Sequence, residues 1–186
     1  MSLTRTAGVI AACVACVLPL TACGVLRGSN VVSGAPAVMQ VSSGSFINGV
    51  LARQYTCYSN PPVNPPLSWS GAPSGTKSVA VVVDDSSAPI TPYVYWIVFD
   101  IGPATTTILQ GQLPPGARQA RGSAGHASYD APCPSGKPHS YRFTVYALDT
   151  TLNLPQGTSL ESAWTKIAAA TIGRGRITVQ ARPDLL

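Results

Sequence analysis

Four runs rich in β-branched and aromatic residues most strongly constrain what this 186-residue chain can fold into. They are Ser78–Val83, Tyr93–Ile101, Tyr141–Leu148 and Arg176–Ala181. Such runs favour β-strands, and glycine- and proline-rich stretches separate them. The first run, SVAVVV, is apolar on both faces, which indicates a strand buried on both sides. The third alternates, with Tyr141, Phe143, Val145 and Ala147 on one face. The sequence therefore predicts a mainly β, sandwich-like domain.

One α-helix is predicted near the C-terminus. Thr158 and Glu161 have the spacing of a T-x-x-E capping box. Apolar residues then recur at helical spacing, at Leu160, Ala163, Trp164, Ile167 and Ala168. The pattern stops at Gly173. With one helix and many strands, the predicted fold class is β-rich α+β.

The segment Gly102–Ser140 is rich in glycine, proline, serine and alanine and has almost no periodicity. A compact domain seldom keeps so long a loop unless the loop builds a site. This segment also contains both histidines of the chain, His126 and His139. A functional site is therefore predicted here.

The first residues of the chain are typical of an export signal. Arg5 supplies a positive charge, and residues 7–18 form an uncharged apolar run that is too short to span a bilayer comfortably. The run ends in the tetrad L-T-A-C, which resembles a bacterial lipobox, where the thiol of the cysteine, here Cys23, is acylated before the signal is cut off. An ordinary secretory signal or a buried apolar N-terminus is the alternative.

This interpretation divides the chain into three parts. Residues 1–22 are a signal peptide, residues 23–44 are the lipidated Cys23 and a flexible tether, and residues 45–186 are the domain. The protein is then exported and lipid-anchored to the outer face of the bacterial cytoplasmic membrane.

Two cysteines, Cys57 and Cys133, remain once the signal and the acylated residue are set aside. An even pair in an exported chain predicts a disulfide, here between residues 76 apart. Two buried free thiols are the alternative.

The formal charge of +5 falls to +4 without Arg5, and the basic residues form no run. Nucleic acid is therefore not expected as a partner. A mildly positive protein suits a position beside an anionic membrane.

The usual catalytic motifs are absent from the sequence, among them G-x-S-x-G, H-E-x-x-H, the P-loop and G-x-G-x-x-G. Asp84 and Asp85 are neighbours on a predicted strand, so they point to opposite faces and do not form an acid–base pair. The spacing of His126 and Asp130 arises easily by chance. We therefore expect no enzyme activity, no metal site and no cofactor.

Four blocks of sequence occur in an order that carries a resemblance. They are PPLSWSGAP (Pro65–Pro73), VDDSSAP (Val83–Pro89), YVYW (Tyr93–Trp96) and the stretch from Pro132-Cys133-Pro134 through His139-Ser140-Tyr141 to Asp149. Together they resemble the phosphatidylethanolamine-binding protein family, in the bacterial branch similar to Raf kinase inhibitor proteins. The resemblance covers roughly residues 46–182, and Cys57 matches a cysteine common in bacterial members.

The resemblance implies a large antiparallel sheet packed on a smaller one, with a few peripheral helices, and a small pocket for phosphate or a phospholipid head group. Its ligand-binding positions fall on Asp85, Tyr95, Pro132, Pro134, His139 and Tyr141. Two positions depart from the family pattern, since Ser87 replaces the second acid of the D-P-D-x-P motif and Tyr95 replaces a strand histidine. Weaker anion binding or a more neutral ligand is therefore expected.

The chemistry of such a pocket follows from its residue types. Main-chain amides near residues 133–137 and the imidazole of His139 provide donors, and the hydroxyl of Tyr141 lies on the same sheet face as His139. Asp85 either fixes the tautomer of a neighbouring ring or accepts from an ammonium group. A structural His139 and an Asp85 that only caps a turn are the alternatives, and Trp69 and Trp96 are interpreted as packing residues.

Three classes of function follow. The first is a membrane-anchored, non-catalytic protein that binds a small anion or a phospholipid head group. The second is a regulator that inhibits a kinase or hydrolase by docking at the cell surface, through a protein partner that the sequence does not identify. The third, a hydrolase or transferase, is disfavoured because no nucleophile is paired with a base.

Overall fold

The computed structural model describes residues 34–88, 91–134 and 136–182. These residues form eight strands, one α-helix (α1, Leu160–Ala170) and two short 3-10 turns, Ile47–Gly49 and Arg53–Tyr55. The strands are β1 (Gln40–Ser42), β2 (Leu67–Ser70), β3 (Ser78–Asp85), β4 (Tyr93–Ile101), β5 (Thr107–Ile108), β6 (Arg118–Ala120), β7 (His139–Leu148) and β8 (Thr171–Ala181). The mainly β fold is confirmed.

The strands form two antiparallel sheets. The larger has the order β6-β4-β3-β7-β8 and the smaller the order β1-β2-β5. Trp69 and Ile108 of the smaller sheet lie in one buried cluster with Val81 and Phe143 of the larger. This first core lies between the sheets, so the predicted packing of a large sheet on a smaller one is confirmed.

Strand β3 lies at the centre of the large sheet, and all of its residues are buried. Val79, Val81 and Val83 belong to the first core, whereas Ala80 and Val82 belong to a second core beneath α1. Alternate side chains of a strand point to opposite faces, so a strand between two cores must be apolar throughout. The prediction of a strand buried on both sides is confirmed.

Helix α1 lies where the apolar spacing predicted it, but its cap is different. Ser159, not Thr158, is the N-cap, and its hydroxyl accepts from the main-chain N–H of Ser162 at 3.2 Å. Ala163 and Ile167 face the second core. The T-x-x-E capping box is therefore wrong by one residue, since a serine in the next position caps the helix equally well.

Strand β8 begins at Thr171, well before the predicted start at Arg176. Gly173 and Gly175 explain the difference. A Cβ at Gly175 would lie 2.5 Å from the carbonyl oxygen of Met39, and one at Gly173 would lie 2.7 Å from the ring of Pro73. Glycine permits this close approach but removes the side-chain pattern by which a strand is predicted.

The predicted boundary between tether and domain at residues 44 and 45 is wrong. β1 pairs with β2 over Gln40–Ser42, and Ala37 forms a parallel bridge with Arg174 of β8. Backbone pairing with distant strands therefore begins before residue 45, which local composition does not reveal. The predicted signal peptide and Cys23 lie outside the described residues.

The segment Gly102–Ser140 is less irregular than predicted. β5 pairs with β2 in the smaller sheet, and β6 forms an edge of the larger one. Both strands are too short to produce a recognisable alternation. Within the described part of the chain, no helix has the length and apolar character needed to cross a membrane.

Candidate ligand-binding site

The large sheet brings most of the predicted site residues together at one of its ends. β3 ends at Asp85, while β7 begins at His139 and β4 begins two residues before Tyr95. Because these neighbours are antiparallel, the end of β3 lies beside the starts of β4 and β7. Asp85 is paired with Tyr93 on one side and with Tyr141 on the other. Side chains far apart in the sequence therefore share one sheet face.

His139 and Asp85 form the central contact of the site. Nδ1 of the imidazole lies 2.7 Å from Oδ2 of the carboxylate. The side chain of Asp85 is 4% exposed and that of His139 is 31% exposed. In the described ranges, no protein group hydrogen-bonds to Nε2 of His139. A buried carboxylate thus orients a partly exposed imidazole whose second nitrogen is left for another partner.

The second oxygen of Asp85 holds a turn. Oδ1 accepts from the main-chain N–H of Ser87 at 2.7 Å. The hydroxyl of Ser87 in turn accepts from the main-chain N–H of Ser140 at 2.9 Å, and Ser86 donates to the carbonyl of Ser140. Asp85 therefore both caps a turn and orients His139, so two of its alternative roles apply together. With both oxygens engaged, its role as an ammonium acceptor is disfavoured.

Tyr141 lies beneath the imidazole. Its ring is stacked with His139, with 6.2 Å between centroids and 16° between planes, and meets the ring of Tyr95 edge-on at 5.5 Å. Tyr141 is fully buried, and its hydroxyl interacts with that of Tyr95 without forming a hydrogen bond of ordinary geometry to any described residue. A buried hydroxyl without a partner is costly. The site therefore contains a buried hydroxyl that is only weakly hydrogen-bonded, next to His139.

The tyrosine hydroxyls of the site stay protonated far above neutral pH. Burial first, and then the charge of Asp85, raises the pKa of Tyr95 to about 12. The pKa of Tyr141 is raised well above its usual value by burial first and then by Tyr95 and Asp85. Both hydroxyls are therefore available as hydrogen-bond donors.

Two further residues extend the site. The hydroxyl of Tyr93 donates to Oδ2 of Asp130 at 2.9 Å, and burial followed by this hydrogen bond raises the pKa of Tyr93 to about 12. The rings of Tyr93 and Tyr95 lie 4.6 Å apart. Neither residue was predicted as part of the ligand site. Tyr93 lies two positions before Tyr95 on the same strand, which was an available signal, whereas nothing local predicts the position of Asp130 in its loop.

A disulfide joins the loop that contains Pro132 and Pro134 to the segment around Cys57. Cys57 and Cys133 are bonded, which confirms the prediction. The main-chain N–H of Cys57 donates to the carbonyl of Pro132 at 3.0 Å, and the hydroxyl of Tyr58 donates to the carbonyl of Pro134 at 3.0 Å. Both prolines are buried. The predicted loop amides extend over Ser135, which lies outside the described residues.

Asp84 points away from the site, as its position next to Asp85 predicts. Arg142 binds it in a bidentate ion pair, with Nε 3.0 Å from Oδ1 and Nη2 in contact with Oδ2. The hydrogen bond to Asp84 raises the pKa of Arg142, although its burial opposes this. The two carboxylates do not form an acid–base pair.

Both tryptophans that were interpreted as packing residues are buried, at 5% exposure for Trp69 and 1% for Trp96. The indole N–H of Trp96 donates to Oε1 of Gln119 at 2.6 Å, and its ring meets Tyr129 edge-on. The packing interpretation is confirmed.

The described ranges contain no group of three His, Cys, Asp or Glu residues that could hold a metal ion. A shallow depression of about 320 Å³ lies beside the C-terminal end of α1, lined in part by Asp149 and Lys166. It shares no residue with the site around His139 and brings no cluster of functional groups together.

Comparisons with known proteins agree with this architecture. A model of the family described as phosphatidylethanolamine-binding protein matches residues 40–182. A UPF0098 protein of Methanothermobacter thermautotrophicus is 35% identical over 134 residues, which are 69% of this chain and 88% of the relative. LppC of Mycobacterium tuberculosis, named as a candidate lipoprotein, is 38% identical over 148 residues, which are 77% of this chain and 73% of LppC.

Two solved structures share the fold. A homologue of phosphatidylethanolamine-binding protein from Chlamydia trachomatis has a TM-score of 0.72 at 28% identity and covers 79% of this chain and 99% of its own. Escherichia coli YbcL, described as a member of the mammalian family, has a TM-score of 0.69 at 30% identity, with 78% and 99% covered. On sequence and structure alike, the chain belongs to the phosphatidylethanolamine-binding protein family.

Proposed function

We propose that this protein binds a small phosphate-bearing ligand, such as a phospholipid head group, at the site around His139 and does not change it chemically. The observation that carries the proposal is the His139–Asp85 pair, in which a 4% exposed carboxylate fixes one nitrogen of a partly exposed imidazole. Such a pair orients the second nitrogen toward an external partner.

The donors of the site suit a phosphate. With Nδ1 donating to Asp85, Nε2 of His139 is a donor when the ring is protonated. The hydroxyl of Tyr95 is a second donor, and the buried hydroxyl of Tyr141 interacts with it. Hydrogen bonds between these groups and a charged phosphate are stronger than neutral ones.

The charge of Asp130 favours a ligand that is not purely anionic. Its carboxylate accepts from Tyr93, whose ring touches that of Tyr95. A bare phosphate would be repelled by this carboxylate, whereas the ammonium of an ethanolamine head group would be attracted to it. Phosphoethanolamine therefore fits the site better than inorganic phosphate.

The hydroxyl groups of the site favour a binding role over catalysis, because none of them is activated as a nucleophile. The raised pKa of Tyr95, about 12, and the raised pKa of Tyr141 make both poor nucleophiles at neutral pH. The hydroxyl of Ser87 is engaged with the main chain of Ser140. These groups suit hydrogen bonding to a ligand.

The proposed location follows from the N-terminal sequence. Cys23 stands in a lipobox-like tetrad, and the similar LppC is named as a candidate lipoprotein. A lipid on Cys23 would hold the domain at the outer face of the bacterial cytoplasmic membrane. Partition of the full chain into detergent, compared with that of Cys23→Ala, tests this part separately.

Calorimetric titration of the processed chain with phosphoethanolamine tests the binding site. We expect saturable heat from the wild type and at least about tenfold weaker binding by His139→Ala, because a hydrogen bond to a charged group is lost. His126→Ala is the matched control, since His126 is exposed and lies outside the site. Equal affinity of the wild type and His139→Ala would overturn the proposal. Absence of heat from both would favour a protein partner instead.

A further inference from the structure

A row of basic side chains lies along β8, at the edge of the large sheet. Arg174, Arg176, Thr178 and Gln180 occupy alternate positions, so they share one face. Nε of Arg176 donates to the hydroxyl of Thr144 on this face, at 2.9 Å. Arg182 follows the strand and donates to Oε1 of Gln180 at 3.4 Å. The row therefore comprises two arginines on β8 and a third, Arg182, directly after it, at the edge of the sheet.

The positive charge of this row is not neutralised on its own face. All residues of β3, β7 and β8 are described, and among them Asp84 is the one carboxylate on the same face as the arginines. Arg142 binds Asp84 in a bidentate pair. Arg176 and Arg182 are exposed, and neither forms an ion pair with an acidic side chain of the described ranges. The face carries a net positive field.

The described chain begins beside this row. The carbonyl of Pro36 accepts from the main-chain N–H of Arg174 at 2.9 Å, and Ala35 packs against the second core, on the same side of the sheet as the arginines. Gly34 lies eleven positions after Cys23. An extended stretch of that length spans at most about 37 Å. A lipid on Cys23 would therefore hold Gly34 within about 37 Å of the bilayer.

We propose that the row Arg174, Arg176 and Arg182 docks on anionic phospholipid head groups and orients the domain on the membrane. The inference rests on the proposed lipid anchor, which supplies the proximity, while the arginines supply the orientation. Guanidinium groups bind phosphates in a bidentate manner, and each basic residue near an anionic bilayer strengthens binding several-fold.

The arginine row and the ligand site lie on opposite faces of the large sheet, because the row shares the face of Asp84 and not that of Asp85. Ala181, the last residue of β8, is paired with His139 across the strands. Arg182 therefore lies at the same end of the sheet as the His139–Asp85 pair. Docking through the row would therefore bring this end of the sheet to the bilayer and leave the ligand site on the face that the arginines do not occupy.

Vesicle sedimentation tests this docking surface. The processed chain, residues 23–186, carries Cys23→Ala so that no lipid anchors it; both hydrophobic cores and the disulfide lie within it. It is mixed with vesicles of phosphatidylcholine alone, or of phosphatidylcholine and phosphatidylglycerol, at low and physiological ionic strength. We expect binding to the anionic vesicles, weakened by salt.

The variants then locate the contact. Arg176→Gln with Arg182→Gln should weaken binding to anionic vesicles on the order of 30-fold. The matched control, Arg118→Gln with Arg121→Gln, removes the same charge beside β6, at the opposite edge of the sheet, and should weaken binding less than about threefold.

Equal losses in the two double variants, or equal binding to neutral and anionic vesicles, would overturn the proposal. Tighter binding to a single-stranded oligonucleotide than to the vesicles would overturn it as well. The vesicles contain no ethanolamine lipid, and His139→Ala should bind them as the wild type does. Failure of the ligand site would therefore leave this result unchanged.

Discussion

Asp84 and Asp85 are adjacent carboxylates on β3, yet they lie in two different regions. Asp84 points to the face of the second core, where Arg142 binds it through two hydrogen bonds. Asp85 points to the face of the first core, where it holds His139 at 2.7 Å and caps the turn at Ser87. The partner of Asp84 is a mostly buried guanidinium that is always charged, whereas the partner of Asp85 is a partly exposed imidazole.

The comparison shows how one strand separates stability from function. A permanently charged, mostly buried pair has no spare hydrogen-bonding group for a ligand. A carboxylate paired with a partly exposed imidazole leaves one ring nitrogen available. Strand alternation alone sends identical side chains into these two environments.

The two regions are also enclosed differently. Helix α1 covers the second core, with Ala163 and Ile167 packed against the sheet. Loops enclose the site, and the Cys57–Cys133 bond and the hydrogen bond from Tyr58 to Pro134 hold them in place. Loops without regular hydrogen bonding need such cross-links to keep a defined shape.

Removing the disulfide should have the largest effect. Cys57→Ser with Cys133→Ser opens a loop of 76 residues and should lower the free energy of unfolding by about 4 kcal/mol on the chain-entropy model. Urea denaturation measures this change, and phosphoethanolamine affinity should fall with it. Reduced wild type is the control. Unchanged stability in both samples would contradict a structural role for the bond.

Breaking each ion pair in turn tests the comparison itself. Arg142→Ala strands a buried carboxylate and should cost about 3 kcal/mol of unfolding free energy. His139→Ala, which removes a partly exposed partner, should cost less than about 1 kcal/mol while weakening ligand binding. Denaturation and calorimetry of both variants measure the two quantities. Similar losses of unfolding free energy in the two variants would show that Arg142 and His139 contribute equally to stability, against this comparison.

Alkaline pH gives the smallest effect and tests the site alone. Since the pKa of Tyr95 is raised to about 12, the unfolded chain loses this proton before the folded chain does. Stability is then fully present below pH 10 and falls as pH rises from 10 to 12. Tyr95→Phe should reduce the fall between pH 9 and 11 by less than about 1 kcal/mol. An identical fall in wild type and variant would contradict the raised pKa.

The sequence predicted the centre of the fold better than its edges. Long apolar runs identify β3 and β4, and alternation identifies most of β7, because burial selects their side chains directly. β1 is short, and the first half of β8 contains Gly173 and Gly175. Close contacts with Pro73 and Met39 leave no room for a side chain at these two positions. Such contacts join distant parts of the chain, so no local pattern shows them.

In the ligand site, too, residues on regular strands were easier to predict than residues in loops. Strand spacing predicted Tyr141 on the same face as His139, whereas the family resemblance predicted Asp85 as part of the site. Asp130 was missed because its position depends on the course of a loop. Whether Tyr95 and Ser87 weaken anion binding stays a prediction that titration will decide.

The two histidines of the chain permit a direct test of the central claim, that His139 contacts the ligand. Imidazole ¹⁵N and ¹³C NMR resolves His139 and His126 as separate signals, assigned by His126→Ala. Titration with phosphoethanolamine should shift the Nε2 signal of His139 and leave His126 in place. A saturable shift of His139 alone is the predicted result; signals that stay fixed, or that move together, would contradict the account.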